Sequence, residues 1–250
     1  MNSIHPTFSI ITVTYNAGKV LEDTIQSVIS QTYRNVEYII VDGNSKDNTQ
    51  EIIGKYSKHI SKMVSEPDKG LYDAMNKGLQ MATGEYVWFV NAGDEIASPT
   101  VIRDMFKYEP YCDVYYGNTV MTDMEGNVIG DRRLTPPDNL TWKSFKMGML
   151  VSHQSFVARR VLCGKYDLKY RFSADFDWCI RVLRNSDFIC NTDMTLSRFL
   201  DGGITKQNIV PGLKERFSIM CKYYGVLTTL LCHIPIGIKF LWFALTRGRF

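Results

Sequence analysis

Short runs of apolar, often β-branched residues alternate with helical periodicity along the first half of the chain. Phe8–Val13 (FSIITV) and Val36–Val41 (VEYIIV) read as strands of the kind buried on both faces, because they are nearly continuous apolar runs. Between them Val20, Leu21, Ile25, Val28 and Ile29 recur at the spacing of one helix face, ending near Gln31. A polar loop follows, then a short helix marked by Ile52, Ile53 and Tyr56, and a third strand over residues 61–66. Leu71, Met75 and Leu79 mark the next helix, and Glu85–Val90 (EYVWFV) a fourth strand. Strand–helix alternation with short connections predicts an α/β fold: a Rossmann-like, mostly parallel central sheet with helices on both faces. In such sheets ligands bind beyond the carboxyl ends of the strands. The loops Thr14–Gly18, Asp42–Thr49, Glu66–Gly70 and Asn91–Glu95 all fall at those ends.

The second half is less regular. Residues 113–123 and 126–134 predict antiparallel strands turned at Glu125-Gly126-Asn127. Pro136-Pro137 breaks the chain before a short helix around Leu140–Phe145. Residues 152–160 read as a strand leading into a helix, Asp175–Arg184 as a helix, residues 191–200 as a strand and Ile209–Tyr224 as a helix. A length of 250 residues fits one domain with an extension. We place the domain at residues 1–205, with a donor half to about 117 and an acceptor half over 118–205, and the helical extension at 206–250.

Charge divides the chain at the same place. From Lys206 onward seven basic side chains face one acid, Glu215, giving +6 and leaving −3 for the rest of a chain of net +3. Val226–Leu245 is largely apolar, but Pro235, Gly237, His233 and Lys239 interrupt it. A charge at mid-membrane costs ~2.5–3.5 kcal/mol on insertion scales, which argues against a span. The segment is expected to be a broken amphipathic element lying on an anionic membrane surface. The six cysteines show no metal-knuckle spacing and read as buried thiols. With the first core strand beginning at Phe8, no secretory leader is evident, and a cytoplasmic location, peripheral at the inner face of the plasma membrane, is expected.

Three acidic motifs carry candidate chemistry. VDGNSKDNT puts Asp42 at a strand end as an acceptor for a base or ribose, ahead of the capping residues Asp47, Asn48 and Thr49. No GxGxxG follows the first strand, so a dinucleotide site is not expected. VNAGDE leaves the fourth strand with Asp94 and Glu95, oxygen ligands suited to Mg2+ or Mn2+ alongside phosphate. SADFDW sets Asp175 and Asp177 at a helix start, where carboxylates also serve as plain caps.

Together these motifs resemble family 2 glycosyltransferases of the GT-A fold, in the branch that builds bacterial surface polysaccharides. Residues 9–49 are similar to that family's opening strand–helix–strand and residues 65–95 to its middle, and the likeness runs from Phe8 to about Gly203. The resemblance implies a nucleotide-sugar donor, contacted by Val13, Tyr15, Asn16, Asp42, Asp68 and Asn76. It implies Mn2+ or Mg2+ at Asp94 and a general base at Asp175, with Arg181 fitting the same pattern. His153, Asp177 and Trp178 fall on the acceptor side. Two positions depart from the family pattern. Gly43 stands where a second acid is usual, pointing to altered base recognition. Asn91 and Gly93 replace acids near Asp94, so metal binding should depend on the donor diphosphate.

The chemistry implied is a single displacement with inversion, in which Asp175 takes a proton from an acceptor hydroxyl and the metal offsets charge on the leaving diphosphate. The donor is expected to be a UDP-sugar and the acceptor a glycan or a lipid-linked glycan, with no nucleic-acid partner. Two other classes fit these motifs less well. A non-catalytic sugar-nucleotide-binding module would have lost the base, and Asp175 is present. A nucleotidyltransferase would want a basic glycine-rich loop after the first strand, which TYNAGK supplies poorly.

Overall fold

The computed structural model describes residues 5–109, 111–202 and 209–247. Four parallel strands form one half of a curved sheet: β1 (Phe8–Thr14), β2 (Val36–Asp42), β3 (Lys62–Ser65) and β4 (Tyr86–Phe89), in the order β3-β2-β1-β4. Side chains alternate between two buried faces. Ile11, Val13, Ile39, Val41, Val87 and Phe89 enter one core, and Phe8, Ile10, Tyr38, Ile40, Trp88 and Val90 the other. The helices divide accordingly, since each must bury one apolar stripe. α1 (Leu21–Ile29) and α2 (Thr49–Lys55) cover the second face, and α3 (Leu71–Met81) the first. α3 lies so close to β1 that a Cβ at Gly78 would sit 2.4 Å from the Ile11 side chain.

The sheet continues through the second half as β8-β6-β9-β5, with β7 paired on β6. β8 (Phe156–Arg159) runs antiparallel to β4 and to β6 (Val114–Thr122). β9 (Ile189–Leu200) runs parallel to β6, and β7 (Val128–Asp131) turns back antiparallel on it. β5 (Glu95–Ile96), which no apolar run in the sequence announced, pairs with β9 at Arg198 and Ser197. α4 (Val101–Tyr108) and α5 (Ala174–Arg184) complete the body. The short helix expected near Leu140 is a 3-10 turn at Trp142–Met147, and β8 passes into a single 3-10 turn rather than a longer helix.

Two expectations are corrected here. The reading of six reduced cysteines fails for one pair: Cys112 and Cys190 form a disulfide, and Cys163, Cys179, Cys221 and Cys232 are free. The pair meets because β6 and β9 run side by side with Tyr115 in register with Cys190, a contact between residues far apart in sequence. The expected break in the C-terminal segment is also absent. α6 (Ile209–Tyr224) is followed by one helix, α7 (Val226–Arg247), that runs through Pro235. Tyr224 stacks on Trp142 at 5.5 Å, so the extension packs on the body, and Phe217 meets His233 edge-on between its two helices. Among the described residues no helix is long and apolar enough to cross a membrane.

Candidate active site

Strand order reverses between β1 and β4: the chain leaves β1 toward β2 and β3, then returns to the other side of β1. That switch point opens a crevice at the carboxyl ends of both strands. Two buried polar atoms there lack a hydrogen-bond partner, the Thr14 hydroxyl at the end of β1 and Asn91 Oδ1 just past β4. Buried polar groups are nearly always paired, so both point to a ligand.

Beside the crevice, Tyr15 is 65% exposed. Asn16 adopts φ 49° and accepts the Lys46 N–H at 2.8 Å, shaping the turn after β1. Asp42 is fully buried and takes donations from the Ser45 hydroxyl, the Ser65 hydroxyl at 2.6 Å and Gln50 Nε2 at 3.2 Å. Its lone pairs are therefore engaged within the fold, and it braces the loop that presents Gly43. A Cβ at Gly43 would lie 2.8 Å from Asp68 Oδ2 and 3.1 Å from the Tyr15 ring. Glycine at 43 thus lets Asp68 bring a carboxylate into the space where the family pattern has its second acid. Asp68 is held by Lys77 at 2.7 Å, and Lys77 also pairs with Glu66 at 2.9 Å. Besides Asp42, two further residues expected to face the nucleotide do not offer it a side chain. Val13 packs in the core, and the Asn76 amide is spent on the Tyr166 backbone, donating at 3.0 Å and accepting at 2.7 Å.

Asp94 closes the crevice on the β4 side. It is buried, accepting Gln154 Nε2 at 2.8 Å and the Leu200 N–H at 3.4 Å. Burial pushes its carboxyl up to about 7; those two hydrogen bonds oppose the shift without cancelling it, and Glu95 adds to it. A divalent cation takes oxygen ligands and would restore the ionised form. Asp94 and the unpartnered Asn91 Oδ1, on one turn, fit such an ion. No cluster of three or more His, Cys, Asp or Glu side chains occurs among the described residues, so the rest of its coordination would come from diphosphate and water.

Asp175 opens α5. Both the Tyr72 hydroxyl, at 3.0 Å, and the Phe176 N–H, at 2.9 Å, donate to its Oδ1. This leaves Oδ2 for a substrate. Tyr72, whose phenol is pushed well up by burial and then by the charge of Asp175, stays a donor. Sequence reasoning passed over Tyr72 and Gln154, since one sits on an apolar helix stripe and the other in a short strand-like run.

The three acceptor-side candidates are corrected. Asp177 is fully buried, and although burial pushes its carboxyl up, Lys222 at 2.9 Å, Arg181 at 2.7 Å and Tyr223 at 2.8 Å hold it below its usual range. It clamps α5 to α6, and Arg181 serves that clamp. Trp178 is buried, stacked on Tyr166 at 5.2 Å with its indole donating to the Gly164 carbonyl. His153 pairs with the Tyr166 hydroxyl at 2.7 Å, and burial pushes its imidazole down to about 4. It is neutral and belongs to the same aromatic cluster.

Comparisons with known proteins agree with this geometry. The model of Glycosyl transferase family 2 matches residues 9–164. A PGL/p-HBAD biosynthesis glycosyltransferase of Mycobacterium tuberculosis is 32% identical over 190 residues, 72% of this chain and 71% of the relative. The putative teichuronic acid biosynthesis glycosyltransferase TuaG of Bacillus subtilis is 32% identical over 146 residues, 57% and 58% of the two chains. Among solved structures, S. aureus TarS 1–349 in complex with UDP superposes with a TM-score of 0.65 at 19% identity, over 86% of this chain and 65% of that one. Mannosyltransferase PcManGT from Pyrobaculum calidifontis, in complex with GDP-Man and Mn2+, gives 0.65 at 14% identity over 98% and 82%. At those identities the structures speak to the fold, which is GT-A. With more than half its length matched by the family model, and with its motifs lying where that fold binds ligands, the chain belongs to glycosyl transferase family 2.

Proposed function

We propose that this protein moves a sugar from a nucleotide-diphosphate donor, UDP-sugar by preference, to a hydroxyl of a glycan or lipid-linked acceptor, with inversion, in surface-polysaccharide assembly. The observation that carries the reading is Asp175. Its carboxylate is held on a single oxygen by the Tyr72 phenol and the Phe176 N–H, with the other oxygen left for a substrate proton. A hydroxyl attacks poorly at neutral pH unless a base takes its proton, and such assistance is worth ~10²–10⁴-fold. Tyr15, Asp68 and the Thr14 hydroxyl bind and orient the nucleotide, and Asp42 fixes the loop that presents Gly43. A divalent cation at Asp94 and Asn91 supplies positive charge for the departing diphosphate.

The exposed face of α7 supports docking on an anionic membrane surface, where a lipid-linked acceptor would be met. Val226, Leu227, Leu230, Leu231 and Ile234 line one exposed stripe at helical spacing, in the segment of the chain that carries +6.

Product analysis tests the catalytic reading. Incubation with a panel of UDP-, GDP- and dTDP-sugars, Mn2+ and a glycan acceptor should release nucleoside diphosphate. Release of pyrophosphate from a parallel incubation with nucleoside triphosphates and sugar 1-phosphates would instead mark nucleotidyl transfer, and binding without turnover a sugar-nucleotide-binding module.

A further inference from the structure

Two arginines that the reading above leaves without a task approach Asp175 from different elements. Arg132 follows β7, and its Nη1 donates to the Leu150 carbonyl at 3.3 Å. Arg216 lies on α6, and its Nε is buried with no hydrogen-bond partner. The start of α6 is pinned over the start of α5. Glu215 accepts the N–H groups of Arg171 and Phe172 at 2.8 Å each, and the Ser173 hydroxyl donates to the Gly212 carbonyl. Arg216 is therefore anchored beside Asp175 by its own sequence neighbours.

The same groups act on one another electrostatically. Burial pushes the Arg132 guanidinium down to about 10, Arg216 and Arg133 add to the effect, and Asp175 opposes it. The charges of Asp175 and Arg216 also both act on the Tyr72 hydroxyl. Arg132 further lines a cavity of about 240 Å3, bordered by Asp131, Asn118, Ser152 and Thr195. The Ser152 hydroxyl donates to Gln154 at 2.8 Å, and Gln154 donates to Asp94. Through Ser152 and Gln154 the wall of this cavity is linked by hydrogen bonds to Asp94, and Arg132 is part of the same wall.

Two guanidiniums here face a carboxylate that must stay available for a proton. Leaving a buried cation with an idle donor is costly, and an arriving anion would offset that cost. Guanidinium groups match the geometry of phosphate and carboxylate oxygens. We propose that Arg132 and Arg216 form a receptor for a substrate oxyanion, a phosphate or carboxylate, bound next to Asp175. The inference rests on the transferase reading for the source of that anion, which is either the donor diphosphate or an acidic group on the acceptor.

The test uses the full chain and the variants Arg132→Gln, Arg132→Lys and Arg216→Gln. Melting shifts and calorimetry are read with inorganic pyrophosphate, UDP, uridine and glucuronate, in EDTA and in Mn2+. Pyrophosphate or glucuronate should stabilise the wild type in EDTA, and both Gln variants should lose that shift, while Arg132→Lys keeps part of it. Arg216→Gln should melt no lower than wild type when unliganded, because it removes a buried unpartnered donor. A drop of tenfold or more in UDP affinity with uridine binding unchanged assigns the anion to the donor. Loss of glucuronate binding with UDP unaffected assigns it to the acceptor. Equal binding of every anionic probe by wild type and variants, or none by the wild type, overturns the proposal. Failure of the wild type to bind UDP or any UDP-sugar would instead count against the transferase reading, and the pyrophosphate and glucuronate arms would still decide the receptor.

Discussion

Replacing Asp94 by Asn should stabilise the unliganded protein at alkaline pH while removing metal-stimulated transfer. The buried Asp94 carboxyl is pushed up to about 7 from an ordinary value of 3.8. The folded state therefore holds that proton more tightly than the unfolded chain does. Stability falls as pH rises from about 4 to about 7, and levels off above. At 1.36 kcal/mol per unit, the ionised carboxylate costs the fold at most about 4 kcal/mol at pH 8 and less than half of that at pH 5. Asparagine carries no charge to desolvate, but its amide cannot accept on both sides, and Gln154 or the Leu200 N–H must adjust. A net gain of about 2 kcal/mol at pH 8 is expected, which for a chain of this size raises Tm by ~4–8 °C. Scanning fluorimetry at pH 5, 6.5 and 8 in EDTA measures it. The stability difference between variant and wild type should widen with pH, and Mn2+ with UDP should close it by stabilising the wild type alone. A difference that stays flat across this range, or an Asn variant less stable at pH 8 than at pH 5 relative to wild type, would refute the assignment of a strained, cation-seeking carboxylate.

Asp175→Asn should keep donor affinity by calorimetry and lose ~10²–10⁴-fold in turnover; unchanged turnover would displace the base. Asp177→Ala removes the acceptor shared by Lys222, Arg181 and Tyr223 at the α5–α6 junction and should cost ~1.5–3 kcal/mol by urea unfolding, because the two cations left behind keep partial access to solvent. Loss of activity without loss of stability in that variant would return Asp177 to the active site. His153, held down to about 4 against an ordinary 6.5, destabilises the fold as pH falls from about 6.5 to about 4. His153→Phe should flatten that slope in acid titrations, and an unchanged slope would place the acid sensitivity elsewhere. Leu227→Glu with Leu231→Glu should abolish flotation of the full chain on anionic liposomes, and flotation equal to wild type would exclude the α7 stripe as the contact.

How much was legible follows from the range of each signal. The strands β1 to β4 and helices α1 to α3 were readable because their residues meet both cores in simple alternation and their connections are short. Asp42, Asp94 and Asp175 were readable because each ends or begins an element. Their partners were not, since Gln154, Tyr72 and Ser65 arrive from distant parts of the chain. Asp177 looked like a second helix-capping acid until Lys222 and Tyr223, some 45 residues on, closed over it. The two-residue β5 has no periodicity of its own and exists because β9 offers an edge. Pro235 misled for a related reason. Its missing N–H deletes one hydrogen bond, but packing of the neighbouring turns on α6 and the Trp142 turn sustains the helix.

The segment between β3 and α3 ties two tasks to one short piece of backbone. Asp68 faces the donor crevice, and four residues later Tyr72 grips Asp175, while Lys77 binds Glu66 and Asp68 to the body of α3. On the proposed reading this segment would act as a lever, with the nucleotide at one end and the proton acceptor at the other. A donor that pulled Asp68 out of place would also rotate the Tyr72 phenol that holds Asp175. Discrimination among donors would then appear as much in kcat as in KM, and re-engineering this enzyme for a new sugar nucleotide would have to start by re-seating Tyr72.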